Sequence, residues 1–425
     1  MSVGTATRLA GEMAGIVGEK HVVETPAQLS PLTIDGVTPA IAVSPGSVEE
    51  VAAVLGYANE HNLIVTPAGG LVHQEIGRTP QQIDILLRMD RFSAIEHYDP
   101  GDLTIGIGAG TTLSDIQAML RDQGQLLPID IAHADRVTIG GAMAVAAHGP
   151  LKHYYGGARE FCLGVRFVTG DGKAAKGGAR VVKNVAGFDI MKLLIGSYGT
   201  LAVITSASFK LFPMPAVTRT FLGQFATLPE AIAFRDFVVN SPLSPTCVEI
   251  LSPSAFDKKS WTIAVRAGGS ERVLARYASE LGSGVSKSLD AFEEQKFWNE
   301  AEKLGENVPV MFSVSVPPSD AAGVIAEADR LANEQQLDLT VWGRVAIGSL
   351  LFAFGGGMAE SYVTVVDSLR RALPRDGSAV VTRCPSALKP AINVWGMSPT
   401  HLKSMAAIKH ALDPNDILNR GRFLL

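Results

Sequence analysis

The stretch from Lys183 to Ile204, KNVAGFDIMKLLIGSYGTLAVI, constrains the fold more tightly than any other part of this chain. It reads as a helix, two glycine turns and an apolar strand, with almost no residues to spare between them. Gly187, Gly196 and Gly199 stand where the backbone needs an angle or a close approach that a side chain would block. Leu201 to Leu211 then reads as a strand, β-branched early and alternately apolar later.

A chain of 425 residues exceeds what one hydrophobic core organises, so two domains are expected. The first residues, to about 30, read as a helical lead-in. Ile41 to Ser44 reads as a short strand before a helix that opens at Ser47. Ser47 with Glu50 forms a capping box, and Val51, Val54, Leu55 and Ala58 form the helix's apolar face. The strand Leu63 to Thr66 runs into the loop Pro67 to Gly77, a strand-loop-strand segment that can bring bare backbone amides to a phosphate. Asp84 to Leu87, Ala94 to His97 and Leu103 to Gly108 continue as strands, and Thr112 or Ser114 opens a helix ending near Gly124. After Leu127 and Pro128 the run TIGGAMAVAAHGP is small enough for a backbone lying beside a large flat ligand, or for a buried small-residue helix. Pro213 and Pro215 then interrupt strand and helix alike.

From Thr218 the order changes to strand, helix, strand, strand, helix, strand, and it recurs from Val310. Two βαββαβ copies predict an antiparallel sheet with helices on one face. Thr400 to Leu412 makes a final helix, followed by DPNDILNRGRFLL.

Composition narrows the function. The formal net charge is −5, with no basic run or stripe, which disfavours nucleic acid as a ligand. Cys162, Cys247 and Cys384 share no metal-type spacing, so three buried thiols in a reducing cytoplasm are expected and no metal is assigned. The amino terminus lacks the basic start and apolar core of a signal peptide, and no charge-free apolar window of roughly 18 residues predicts a membrane span. A hydrophobic fraction of 47% suits a well-buried protein that covers surface with partners.

The glycine loop Thr66–Gly77, Gly108-Ala109-Gly110-Thr111, Leu127-Pro128, Thr138-Ile139-Gly140-Gly141, Gly149, Tyr155-Gly156-Gly157-Ala158-Arg159 and the 183–204 stretch occur in that order. The series resembles the vanillyl-alcohol-oxidase family of flavoproteins, which carry a PCMH-type FAD-binding domain. Within it, VVKNVAGFDIMKLLIGSYGTLAVIT is most similar to the FAD-binding subunits of glycolate oxidase. The closing Asp413-Pro414-Asn415-Asp416-Ile417-Leu418-Asn419-Arg420-Gly421-Arg422 is similar to the family's D-P-x-x-I-L-N-P-G-R, with Arg420 in place of proline.

The resemblance implies an α+β fold. Residues 1–215 would form a two-part PCMH-type FAD-binding domain, and 216–399 a ferredoxin-like α+β cap, substrate or interaction domain. Residues 400–425 would be a helix and tail returning to the flavin domain. It implies a noncovalent FAD whose diphosphate lies against Pro67, Ala68, Gly69, Gly70, Leu71, Val72 and Gly77. Pro128, Thr138, Gly140, Gly141, Ala144, Ala147, His148 and Gly149 would follow the ribityl chain and isoalloxazine. Val203 and Ile204 would meet the adenine through main-chain atoms, and Asn419 and Arg422 would contact the cofactor from the tail. The loop departs from the family's P-R-G-G-G-T: Ala68 replaces arginine, Leu71 the third glycine and Val72 the threonine. Each lost contact would be worth about 1–3 kcal/mol if charged or buried.

His148, Tyr155 and Arg159 are the candidates for orienting or deprotonating a substrate, with arginine the natural clamp for a carboxylate. A hydrogen-bonded structural role for His148 is the competing reading. His73 reads as an ordinary loop residue, because the family's histidyl-flavin position falls on Gln74 by register. Trp342, Arg344, Arg383, Lys389 and Trp395 are weaker candidates from the second domain. Nothing in the chain resembles the histidine-rich H-G-D-G-N-x-H segment of hydroxy-acid-oxidising relatives.

Three functions therefore remain open. The chain is expected to be the FAD-holding subunit of a glycolate oxidase-like 2-hydroxy-acid dehydrogenase, beside a catalytic flavoprotein subunit and an iron-sulfur subunit. It would be cytoplasmic, or peripheral at the inner membrane through those partners. A self-sufficient FAD oxidase of a small alcohol, hydroxy acid or sugar, or a flavin-free structural subunit, would fit the same residues.

Overall fold

The structure is a computed structural model that describes residues 3–179, 188–256, 259–396, 400 and 402–424. Gly187, with the Lys183–Gly187 head of the stretch singled out above, lies outside the described residues, as does the expected boundary at residue 399. The chain divides into two compact units: Met1–His148 with Gly157–Met214 and Ser398–Leu425, and Gly149–Gly156 with Pro215–Met397.

The first unit begins with α1 (Val3–Val17), the one-turn α2 (Pro26–Leu29) and α3 (Val48–Glu60). Around them β1 (Val22–Val23), β2 (Ile41–Val43), β3 (Val65–Ala68) and β4 (Ile85–Arg88) make a sheet of order β1-β2-β4-β3. Strand β4 runs parallel to both β2 and β3, which leaves β3 on the edge. Ser47 caps α3 by accepting the Glu50 amide at 3.2 Å, but the Glu50 carboxylate takes the Gly46 amide instead of Ser47's, so the capping box is displaced by one residue. The apolar face Val51, Val54, Leu55 and Ala58 is buried with Met13, Val65, Ile85 and Leu87, as its spacing predicts.

Next come β5 (Ile95–Asp99), β6 (Thr104–Gly108), α4 (Leu113–Asp122), the two-residue β7 (Gln125–Leu126) and α5 (Ile139–Ala144). The one-turn α6 (Lys152–Tyr155) belongs to the second unit. Then follow α7 (Ala158–Phe161), β8 (Cys162–Thr169), β9 (Ala174–Gly178), α8 (Ile190–Leu194), β10 (Ala202–Lys210) and β11 (Phe212–Pro213). The large sheet has the order β5-β6-β10-β8-β9 and is antiparallel throughout. Its core holds Ile105, Ile107, Leu113, Ile116, Leu120, Phe161 and Phe209. Each such side chain, fully removed from water, contributes roughly 1.5–3 kcal/mol. Gly196 and Gly199 adopt φ of +83° and +66°, the left-handed angles for which glycine was expected there.

In the second unit β12 (Val217–Phe225), α9 (Leu228–Asn240), β13 (Cys247–Leu251), β14 (Trp261–Gly269), α10 (Glu271–Leu281) and β15 (Lys287–Leu289) form one βαββαβ copy. After α11 (Ala291–Glu302), β16 (Val310–Ser315), α12 (Ala321–Glu334), β17 (Asp338–Arg344), β18 (Ser349–Gly355), α13 (Ala359–Ala372) and β19 (Ser378–Arg383) form the other. The eight strands join as β15-β12-β14-β13-β17-β18-β16-β19, two ferredoxin-like sheets fused through their second strands. The expectation of helices on one face needs correction, because α11 covers the opposite face. Its Trp298 packs against Cys247, Leu251, Ala264 and Trp342, and the indole donates to Thr220 at 3.0 Å. Glu294 of the same helix, 3% exposed, accepts from Thr220 at 2.6 Å and pairs with Arg266 at 3.3 Å.

Helix α14 (Leu402–Leu412) and the tail belong to the first unit. The tail supplies the neighbour that the edge of β3 lacks: Val65 donates to Ile417 O at 2.8 Å, and Asn419 donates to Val65 O at 2.9 Å. Asp413, 1% exposed, explains the D-P-x-x-I-L-N wording physically. Its carboxylate accepts the amides of Ile417 and Leu418 and the Nζ of Lys409. No helix among the described residues is long and apolar enough to cross a membrane.

Candidate cofactor-binding site

The loop after β3 is pinned on both flanks. Ala68 is 3% exposed and buried with Leu29, Ile83 and Leu86, and Leu71 packs on the same cluster. Val72 leans instead on the core of the large sheet. The three departures from the glycine-rich pattern are therefore anchors. An arginine at position 68 would have to be accommodated in that small core. Leu71 pays with a φ of +61° and leaves the concave side of the loop to the backbone.

That backbone is uncommitted. Among the described residues no acceptor takes the amides of Gly69, Gly70, Leu71 or Val72. The loop also lies hard against the segment before α5. A Cβ on Gly69 would stand 2.1 Å from Thr138 Oγ1, and one on Gly70 would stand 1.8 Å from Arg136 O. Thr138 caps α5 by accepting the Gly141 amide at 3.3 Å. The small-residue run thus makes a six-residue helix, and beyond it Ala146 turns at φ +52°.

The remaining predicted segments converge on this pair. Gly140 donates to Ala109 O at 2.8 Å, and Ala109 donates to Thr205 O at 2.9 Å, next to Ile204. Tyr198 donates to Ala144 O at 2.8 Å, and a Cβ on Gly199 would meet Asn419 and Pro67. Val203 and Ile204 bury their side chains in two different cores. Strand β10 pairs with β6 only from Ser206 onward, so its β6-side edge at residues 202–204 has no ladder partner. Pro128 is buried beside the core residues Leu127 and Ile129, and Ala147, half-buried, donates to Ala142 O at 2.8 Å.

From the tail, Asn419 donates Nδ2 to Tyr198 O at 2.8 Å, while its Oδ1 is buried without a partner. Arg422 is held by the loop and by Asp35. Its guanidinium is 2.9 Å from Asp35 and from the carbonyls of Arg78 and Ile76, and it also donates to Gln74 O. It clamps residues 74–78, including Gly77 at φ +96°.

A dinucleotide with a diphosphate fits these residues. Four loop amides are available for an anion, close backbone contacts admit no Cβ, and buried polar atoms wait unpartnered at Asn419 Oδ1, Thr111 Oγ1 and Thr205 Oγ1.

Of the substrate candidates, His148 is half-buried with Nδ1 2.9 Å from Ala146 O, which puts the proton on Nδ1 and makes Nε2 the basic nitrogen. Gly149 and Tyr155 belong to the second unit. Burial, with Tyr154 beside it, raises the Tyr155 pKa, so the phenol remains a donor at neutral pH. Arg159 is exposed and lines a cavity of about 410 Å³ in the first unit that the sequence did not indicate. In the second unit Arg344 donates to Ser349 Oγ at 3.1 Å and Arg383 to Glu306 O at 2.7 Å, so both are held by protein. None of the three cysteines is in a disulfide, all are buried, and burial pushes the Cys162 thiol up to about 12. Among the described residues no group of three or more His, Cys, Asp or Glu side chains is arranged for a metal ion.

His73 lies in the loop, in surroundings that no local pattern shows. Its Nε2 is buried without a partner, and burial, with His133 nearby, lowers its pKa from 6.5 to about 4. The unfolded chain therefore binds this proton first as pH falls. Stability is expected to drop by about 2 kcal/mol between pH 7 and pH 4.5 through this group alone. Urea titrations of wild type and His73→Gln across that range check the result, and parallel slopes would refute it.

Residues 39–178 match the FAD binding domain family, and residues 394–423 match the C-terminal domain of FAD linked oxidases. The chain is 28% identical to D-2-hydroxyglutarate dehydrogenase of Xanthomonas citri pv. viticola, over 89% of this chain and 88% of that one. It is 26% identical to D-lactate dehydrogenase of Archaeoglobus fulgidus, over 94% of each. To glycolate oxidase subunit GlcE of Escherichia coli it is 29% identical, over 77% of this chain and 84% of that one. Among solved structures, p-cresol methylhydroxylase with substrate bound shares the fold, with a TM-score of 0.80 at 16% identity, covering 99% of this chain and 97% of the other.

Proposed function

Since this chain is an FAD-linked oxidoreductase of the PCMH-type flavoprotein fold, with FAD as its cofactor, we propose that it is the FAD-holding subunit of a 2-hydroxy-acid dehydrogenase of glycolate oxidase type. The observation that carries this reading is the run of uncommitted amides from Gly69 to Val72, held against Thr138 and Arg136. FAD as the cofactor leaves no room for the flavin-free structural role.

When bound, FAD supplies the two-electron acceptor. The chain's own part is to hold and orient. The loop amides take the diphosphate, and Thr138, Gly140 and Gly141 line the passage beyond it. The open edge of β10 at Val203 and Ile204 offers main-chain groups to the adenine. Pro67, Ala68, Gly77, Pro128, Ala144 and Ala147 set the backbone course, and Asn419 Oδ1 accepts a donor from the cofactor. Within the first unit, His148 Nε2 is the basic nitrogen suited to a substrate hydroxyl and Arg159 a clamp suited to a carboxylate.

The division of labour with a catalytic flavoprotein subunit and an iron-sulfur subunit follows from the missing histidine-rich segment. The complex would stand in the cytoplasm or against the inner membrane through those partners. An absorption spectrum before and after FAD, and then after anaerobic glycolate, tests the reading. A stoichiometric flavin that glycolate reduces only when the partner chains are present is expected. Bleaching of the isolated chain would instead establish the self-sufficient oxidase, and a protein that takes up no FAD would refute both. Asn419→Ala is expected to weaken FAD binding about tenfold, measured by flavin fluorescence on dilution.

A further inference from the structure

The cavity at Arg159 adjoins the cofactor cradle and shares Asn419 with it, but neither the loop residues 67–72 nor Thr138–Gly141 line it. It is lined by α8, the turn 195–201, α14 and the tail, all within the first unit. Its walls are chiefly apolar, built from Leu193, Leu201, Met405, Ile408 and Phe423. A volume of about 410 Å³ is that of a small-molecule site.

Its charge runs against that of the protein. In a chain of net charge −5, three cations line the cavity, Arg159, Lys192 and Lys409, against one carboxylate, Asp416. Lys409 is committed, to Asp413 at 2.6 Å, Thr200 O at 2.7 Å and Asp416 at 2.9 Å. Lys192 is paired with Asp189 at 3.0 Å. Arg159 is exposed, and its planar fork suits a carboxylate. An apolar chamber with one available guanidinium calls for a ligand that is greasy at one end and singly anionic at the other.

We propose that this cavity binds a monocarboxylate with an apolar body, its carboxylate on Arg159 and its body among Leu201, Met405 and Ile408. Such an acid has two sources, an oxidisable 2-hydroxy acid with an apolar side chain or a non-oxidisable acid acting as an effector. Calorimetric titration of the FAD-loaded full chain with 3-phenylpropionate, 3-phenyllactate, acetate and 3-phenylpropan-1-ol tests the site. Both aromatic acids are expected to bind saturably and at least tenfold more tightly than acetate or the alcohol. Arg159→Ala should remove that preference over the alcohol, and Ile408→Trp, at a partly exposed position, should block the chamber. Flavin bleaching by 3-phenyllactate, with partner chains present, would assign the site to substrate, and an unbleached flavin at the same affinity would assign it to an effector. No saturable binding, equal binding of acetate and the aromatic acids, or unchanged binding in both variants would overturn the proposal. Flavin absorbance in the same samples keeps the two readings apart, since a colourless protein that still binds 3-phenylpropionate loses the cofactor role and retains this site.

Discussion

Replacing Lys409 by methionine is expected to destabilise the protein by about 3–5 kcal/mol, the cost of stranding a buried carboxylate. Asp413 is 1% exposed, and its side chain already accepts the amides of Ile417 and Leu418, so it cannot move to water without undoing the turn that places the tail. Lys409 also satisfies Thr200 O and Leu418 O, two carbonyls that would be left unpaired. The loss should concentrate where the tail meets the edge of β3. Hydrogen exchange at Val65 and Asn419, read beside urea unfolding, is expected to quicken before the core does. A variant within 1 kcal/mol of wild type would show that the cluster is compensated. Lys409→Arg should recover part of the stability through the retained charge.

Gly70→Ala is expected to leave the protein folded and nearly free of flavin, with occupancy reduced at least tenfold. The added carbon would lie 1.8 Å from Arg136 O, and backbone cannot swing aside as a side-chain tip does. Either Arg136 or the loop must shift, and both hold the amides of Gly69 to Val72 in place. Gly56→Ala is the matching control. It lies in α3 with nothing within 4 Å of the added carbon, and is expected to keep full flavin and gain up to about 1 kcal/mol. Full flavin in Gly70→Ala protein would remove the loop from the cofactor site.

Much of the fold was legible because local chemistry and long-range packing ask for the same residues. The face of α3, the left-handed glycines at 196 and 199 and the two βαββαβ copies could be read from spacing alone. The position of α11 could not, since a helix rich in charge reads as solvated until Trp298 and Glu294 are seen bonded to β12 and β14. The partners of Arg422 could not be read either, since Asp35, Gln74, Ile76 and Arg78 lie over 340 residues away in the sequence. Lys409 and Asp413 went unread, although a lysine four residues before an aspartate in a helix's last turn was a usable signal.

By itself the sequence determined the order of elements, the glycine positions that admit a close-lying backbone and the kind of cofactor such a backbone receives. These follow from periodicity and from φ angles, which belong to each residue and its near neighbours. Only the tertiary structure decided that Ala68, Leu71 and Val72 are anchors, that the His73 Nε2 is out of water with its pKa lowered, and that Arg159 opens on a cavity. Burial and charge pairing depend on which distant segments arrive at the same place, and no local pattern records that meeting.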